Sequence, residues 1–291
     1  MSTTQQPITV GMIAGWGRFP VVVSQAIRDA GHRVVCCGIK GHADESLKSI
    51  CNEFEWCGLT KMGFQIRVFK RHNVNNVTMA GKIFKTLLFS KNYLWHNLPD
   101  WTCLKHFLPV VHLKDRKDDT LLGAATTMFE SHGFEFTPAV DFAPNLLVSK
   151  GTLTKRKPNQ SQHKDIGFGW QLAKEMGRLD IGQSVAVKGK ALLAVEAVEG
   201  TDQCIRRAGE LCSGGEFVVV KVAKPEQDMR FDVPTVGVST IETMHESGGR
   251  ILAIEAHRTI ILDQEKMVER ANQFGIGIVA VDPAEFRHKK T

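Results

Sequence analysis

The sequence has no C-x-x-C pair, and none of its 11 histidines stands at zinc-finger spacing from such a pair, so a structural zinc site of the usual kind is excluded. It also lacks the H-E-x-x-H, G-x-S-x-G and Walker patterns, which leaves zinc-protease, serine-hydrolase and P-loop chemistry without support. No apolar run approaches the length of a membrane span. The N-terminal MSTTQQPITV has neither the basic region nor the apolar core of a signal peptide, so a cytoplasmic location is expected. The seven cysteines, at 36, 37, 51, 57, 103, 204 and 212, form an odd, scattered set that fits reduced thiols in such a compartment. A net charge of +6 is too modest to argue for nucleic acid.

What is present is enough apolar material for two ordinary domains: 291 residues, 43% of them hydrophobic. The N-terminal half alternates short apolar runs with helical patterns. ITVGMIA, HRVVCCGI and NNVTMAG read as buried strands, and PVVVSQAIRDAG and DTLLGAATTMFESH as helices. That alternation predicts a parallel sheet covered on both sides, a Rossmann-like α/β domain over residues 1–150. A polar, basic segment over 151–164 reads as a linker. Residues 165–291 then read as a second α/β domain: a helix from Asp165 to Leu179, a hairpin turned near Lys188 to Lys190, a helix through TDQCIRRAGELC, the strand EFVVVKVA, and a closing helix and strand.

Four stretches carry candidate chemistry. GMIAGWGRFP places Gly15 and Gly17 between a strand and a helix, where backbone amides and the helix dipole can receive a phosphate. It makes a poor dinucleotide fingerprint, because Pro20 stands at the third glycine position and the second strand ends in Gly38-Ile39-Lys40 with no acid for a ribose. The alternative of an NAD(P)-binding oxidoreductase is disfavoured on that ground, and a plain strand-to-helix turn explains the residues equally well. Gly81 and Lys82 follow another strand, and in a parallel sheet they share an edge with Gly15 and Gly17. EAVEGTDQCIRR opens a helix with Thr201 or Gly200 as its cap; Glu196 and Glu199 flank the turn, and Asp202 stands in the first turn.

The fourth stretch, KPEQDMRFDVP, puts Lys224, Glu226, Asp228, Arg230 and Asp232 on every second residue, which in an extended strand lines one face with both signs of charge. A solvated edge strand or a loop explains this, since Pro225 and Pro234 fit poorly in a central ladder. So does a site for something anionic and metal-bound. With Lys221 nearby, these carboxylates suit Mg²⁺ and these cations suit phosphate oxygens. Separately, residues 82–117 hold seven Lys or Arg against two Asp, a local balance of +5. Phe84, Phe89, Tyr93, Trp95, Trp101 and Phe107 fall in the same region, a combination expected of a surface that touches lipid, a partner subunit or plain core. A non-catalytic membrane or nucleic-acid binder built on that region is the remaining alternative.

In order and wording, IAGWGRFP, KDDTLL (117–122), MGRLDIGQ (176–183), AVEAVEGTDQCIRRAG (194–209), KVAKPEQDMRFDVPTVGVSTI (221–241) and GIGIVAVD resemble the LpxI-type UDP-2,3-diacylglucosamine pyrophosphatases over nearly the whole chain. The resemblance implies a Mg²⁺-dependent hydrolase of lipid A biosynthesis. Water would attack the α-phosphorus of UDP-2,3-diacylglucosamine to give UMP and 2,3-diacylglucosamine 1-phosphate. It implies a Rossmann-like N-terminal domain joined to a family-specific C-terminal α/β domain, with Asp232 at the position of the catalytic carboxylate. Asp232 and, more weakly, Asp228 are then the expected metal ligands. Gly15, Gly17, Gly81, Lys82, Glu199, Thr201, Asp202, Lys221, Lys224, Gln227 and Arg230 are the expected substrate-binding residues. The partners expected are the UDP-linked diacylated sugar and the inner-membrane surface on its cytoplasmic face, with no nucleic acid; a homodimer is expected by base rate alone.

Overall fold

The computed structural model describes residues 6–83, 98–112, 118–225, 227–230 and 233–286. The chain divides into Met1–Pro144 with Asp228–Phe231, and Asn145–Gln227 with Asp232–Thr291.

The first unit runs β1 (Thr9–Ala14), α1 (Phe19–Asp29), β2 (Arg33–Ile39), α2 (Leu47–Ile50), β3 (Glu53–Cys57), α3 (Met62–Arg71), β4 (Asn76–Ala80), α4 (Trp101–His112), α5 (Asp118–Ser131) and β5 (Glu135–Phe136). Its sheet has the order β3-β2-β1-β4-β5 with every pair parallel, a Rossmann-like arrangement. Strands buried on both faces read as continuous apolar runs, which is why β1 and β2 were legible. Val10, Met12 and Ala14 pack with Val23 and Ile27 of α1, while Ile13 faces the other layer with Phe69 and Phe129. Strand alternation sends the adjacent Cys36 and Cys37 to opposite faces, where their thiols meet Cys51 and Cys57 respectively.

The second unit runs β6 (Gly151–Thr152), α6 (Gln160–Arg178), β7 (Ser184–Lys188), β8 (Ala191–Val195), α7 (Thr201–Leu211), β9 (Phe217–Lys221), β10 (Thr235–Val236), α8 (Val238–Ser247), β11 (Gly249–Glu255), β12 (Ile260–Ile261), α9 (Gln264–Phe274) and β13 (Gly277–Val281). Its main sheet has the order β6-β13-β11-β9-β7-β8. β13, β11 and β9 are mutually parallel, and β6, β7 and β8 run antiparallel to the strands they join. Ile166, Trp170 and Ala173 of α6 cover one face; Ile205 and Ala208 of α7, with Ile241 and Met244 of α8, cover the other. The β7–β8 hairpin turns through Gly189 and Lys190, both at positive φ, and Asp165 accepts both of their N–H groups at 2.9 and 2.7 Å.

The segment 151–164, expected to be a linker, is built into this second unit. Gly151 and Thr152 pair with β13, and the helix expected from Asp165 begins at Gln160. Asn159 and Gln162 form a reciprocal capping box that satisfies two N–H groups and fixes that earlier start.

All seven cysteines are unpaired thiols; six are buried and Cys212 is half-buried. Burial pushes the Cys103 thiol up to about 11 and the Cys204 thiol up to about 12. Native-state alkylation at mild alkaline pH should therefore modify Cys212 at least about tenfold faster than the other six, with the difference vanishing in urea. Peptide mass spectrometry over a time course reads this directly, and early labelling of Cys36 or Cys204 would contradict the burial described.

Candidate functional site

In the first unit the ends of β1 and β4 meet at the point where strand order reverses, the usual place for a ligand in an open parallel sheet. Gly15 donates its N–H to Ala80 O at 2.8 Å, and Trp16 and Lys82 exchange backbone hydrogen bonds at 2.8 and 2.9 Å. Glycine is required here for close approach. A Cβ on Gly15 would lie 2.7 Å from Lys82 O, and one on Gly81, at φ +94°, 2.8 Å from Trp16 O. Gly17, at φ +101°, has open space around its Cα, directly before the 11-residue α1. Gly15, Gly17, Gly81 and the exposed Lys82 are thus assembled at one sheet edge, beside a helix N-terminus with no acid in its first turn.

In the second unit, three strand ends converge. Ser184 opens β7 opposite Lys221, the last residue of β9, and Glu196 follows β8, donating its N–H to Ser184 O at 2.8 Å. Thr201, the first residue of α7, links them: Lys221 Nζ donates to Thr201 Oγ1 at 2.9 Å, and Thr201 Oγ1 donates to Glu196 Oε1 at 2.9 Å. Lys221 is 7% exposed and Glu196 8%, so an ammonium and a carboxylate are held in the interior, joined through one hydroxyl at the head of an 11-residue helix. Glu199, at the same turn, is paired with Arg207 at 2.8 Å, and its carboxyl is held below the usual range by its own backbone N–H and by that guanidinium. Asp202 stands in the first turn of α7.

The MGRLDIGQ stretch supports this edge. Gly177 lets the loop after β9 lie against α6, since a Cβ there would be 3.1 Å from Lys224 Cα; Asp180 Oδ1 receives Lys224 Nζ at 2.7 Å; and a Cβ on Gly182 would come within 2.1 Å of Glu196 O. Ala223 is clamped at both backbone groups. Its N–H donates to Glu255 Oε2 at 2.8 Å, and its carbonyl accepts from Lys174 Nζ at 2.8 Å, while Lys174 and Glu255 pair at 2.7 Å.

The described residues of the alternating stretch after this clamp form no strand: they contain turns at Pro225 and at Met229 and Arg230, and β10 starts only at Thr235. The strand-face geometry therefore does not hold. Gln227 Oε1 accepts from Lys224 N at 2.7 Å and closes the first turn. Two-residue spacing brings Asp228 and Arg230 together as a forked pair, Nε to Oδ1 at 3.0 Å and Nη2 to Oδ2 at 2.8 Å, while Arg230 Nη1 also reaches Glu130 at 3.3 Å. Hydrogen bonding to that guanidinium holds the Asp228 carboxyl below its ordinary value. Asp228, expected as a metal ligand, and Arg230, expected as a substrate-binding residue, are thus paired with each other. Asp232, the expected catalytic carboxylate and metal ligand, lies outside the described residues, as do Glu226 and positions 84–97 of the aromatic stretch. In the described remainder of that stretch Trp101 is 80% exposed and Leu98 56%.

With this geometry established, comparison with known proteins gives a consistent result. Residues 9–146 match the LpxI N-terminal domain and residues 149–279 the LpxI C-terminal domain. The chain is 32% identical over 284 residues to UDP-2,3-diacylglucosamine pyrophosphatase LpxI of Caulobacter vibrioides, covering 95% of this chain and 98% of that protein. The chain belongs to the LpxI family. The glycine edge of β1 and β4 falls in its LpxI N-terminal domain, and the Lys221–Thr201–Glu196 relay in its LpxI C-terminal domain. Sequence reasoning singled out Thr201 and Lys221 but passed over Glu196 as flanking the turn, and Ser184 altogether. The available signal was the hairpin register, which sets residues 184 and 196 opposite each other.

Proposed function

We propose that this chain is an enzyme of lipid A biosynthesis that hydrolyses UDP-2,3-diacylglucosamine at its pyrophosphate, with water attacking the α-phosphorus, to give UMP and 2,3-diacylglucosamine 1-phosphate. The carrying observation is the buried Lys221 ammonium fixed by Thr201 at the head of α7, in a chain related end to end to a protein of that name. A preorganised cation and helix dipole, kept from bulk water, favour the charge that gathers on phosphoryl oxygens as the anhydride breaks. Lys224, at the same edge of the second unit, adds positive potential for the diphosphate.

Among the described residues no three His, Cys, Asp or Glu groups converge on a metal position, and Asp228 is committed to Arg230. Mg²⁺ commonly takes one or two protein carboxylates and completes its shell with water and substrate phosphate. Asp232 is the residue we assign to hold it, on the likeness of the RFDVP stretch to the LpxI family. When bound, the ion would supply Lewis-acid neutralisation of phosphoryl charge. The exposed Trp101 and Leu98 suit a surface that rests on lipid while a diacylated substrate enters.

The test is incubation of the purified chain with UDP-2,3-diacylglucosamine and Mg²⁺ in ¹⁸O-water, with an EDTA control. The expected result is metal-dependent UMP carrying the label, lost by orders of magnitude in Asp232→Ala while substrate still binds. Label in the lipid phosphate would refute attack at the α-phosphorus, and wild-type turnover by Asp232→Ala would refute the role given to Asp232.

A further inference from the structure

Glu196 carries one oxygen that the relay leaves over. A threonine hydroxyl has a single proton. Thr201 gives it to Glu196 Oε1, so Thr201 can only accept from Lys221, and Ser184 Oγ, 3.4 Å from Thr201 Oγ1, must be the donor in that contact. Glu196 Oε2 is inaccessible to solvent and has no hydrogen-bond partner among the described residues, in a side chain more than nine-tenths buried. An unmet acceptor of this kind is costly, and native proteins keep few of them. The position is also built: Gly182 is the residue type that fits against Glu196 O, and β8 is tied there to Ser184.

Two unlike demands therefore meet at one point. The first-turn N–H groups of α7 have no intrahelical acceptor and, with Lys221, favour an anion. Glu196 Oε2 repels an anion and calls for a donor. A phosphate flanked by hydroxyl groups on a sugar ring answers both.

We infer that Glu196 is a substrate-binding residue whose Oε2 accepts a hydrogen bond from a sugar hydroxyl of the ligand, next to the phosphate received by α7 and Lys221. The inference rests on the function proposed above, whose substrate contains two such groups, the ribose 5′-phosphate of its UMP half and the hexose 1-phosphate of its lipid half.

The experiment deletes hydroxyls from the ligand first, so that no variant need fold. Binding of UMP and 2′,3′-dideoxy-UMP, and of glucosamine 1-phosphate and its 4,6-dideoxy analogue, is measured by titration to saturation on the wild-type chain. The same titrations follow on Glu196→Gln, which still accepts from Thr201 but offers an amide where the second acceptor was. Wild type should lose about tenfold or more in affinity on deletion in one of the two pairs, since hydrogen bonds to a charged group are the strong ones. Glu196→Gln should bring that ratio below about twofold, with KM for the whole substrate rising more than kcat falls. The pair that responds identifies the ribose or the hexose. Equal affinity of wild type within both pairs, no binding of either parent, or an unchanged ratio in Glu196→Gln would overturn the inference even where the whole substrate is turned over. Conversely, Glu196-dependent discrimination in a chain that releases no UMP would keep the site and refute the reaction.

Discussion

Lys221→Met is expected to lower kcat for UMP release by about 10²- to 10³-fold, the effect of removing one preorganised donor from developing oxyanion charge. Methionine keeps most of the lysine stem, so the fully buried strand β9 is retained and the deletion is chiefly one of charge. The loss is large because the ammonium sits in the interior, where water cannot substitute for it. It is compounded because Glu196 would remain as a buried carboxylate whose compensating cation is gone, leaving a net negative charge where phosphate must bind. The double variant Lys221→Met with Glu196→Gln removes that stranded charge together with the acceptor for the sugar hydroxyl, and should not recover the lost kcat. Steady-state kinetics on both variants separates the two contributions, since loss of a contact made only in the transition state lowers kcat and kcat/KM together. A Lys221→Met chain with kcat within about threefold of wild type would remove Lys221 from the reaction altogether.

How far the sequence reaches is visible at particular residues. β1, β2, β4 and the β7–β8 hairpin were legible because each is a short apolar run ended by turn chemistry, and α5 because its apolar residues recur at helical spacing. The two-residue β5 and β6 were not, because they have too few residues for any period. The stretch 224–234 misled for a physical reason: alternation of charge is the mark of a strand face, but Asp228 and Arg230 satisfy it by folding onto each other in a turn, where one carboxylate meets a forked guanidinium. The sequence marks Gly15 for a phosphate turn or a plain strand-to-helix turn, and Gly81 as sharing its edge. A Cβ on Gly15 would meet the backbone of Lys82 and Gly81, and one on Gly81 the backbone of Gly15 and Trp16, so the same glycines serve first to let two strand ends touch. Glu196 is the instructive omission. Its importance lies in what one oxygen lacks, and no one-dimensional pattern records that.

Lys174→Met should be the most destabilising single change among the charged residues of the second unit, at about 3 kcal/mol, the lower end of the range for breaking a buried ion pair. Glu255 is 1% exposed and would be left charged in the interior with, among the described residues, the Ala223 N–H as its remaining donor. The figure stays at the lower end because the Lys174 side chain is itself 23% exposed, so some water already reaches the pair. Urea denaturation compared with wild type reads the loss as a drop in midpoint at unchanged slope. Adding Glu255→Leu to Lys174→Met should recover a substantial part of the stability, because two apolar replacements remove the stranded charge that makes the single variant costly. Recovery of stability should not bring recovery of turnover. Ala223 loses both of its backbone anchors in the double variant, and Ala223 fixes where the chain leaves β9 on its way to β10. A double variant as active as wild type would mean that this clamp serves folding alone; one that is stable and slow would show that the chain must be held where it leaves β9 for the reaction to proceed.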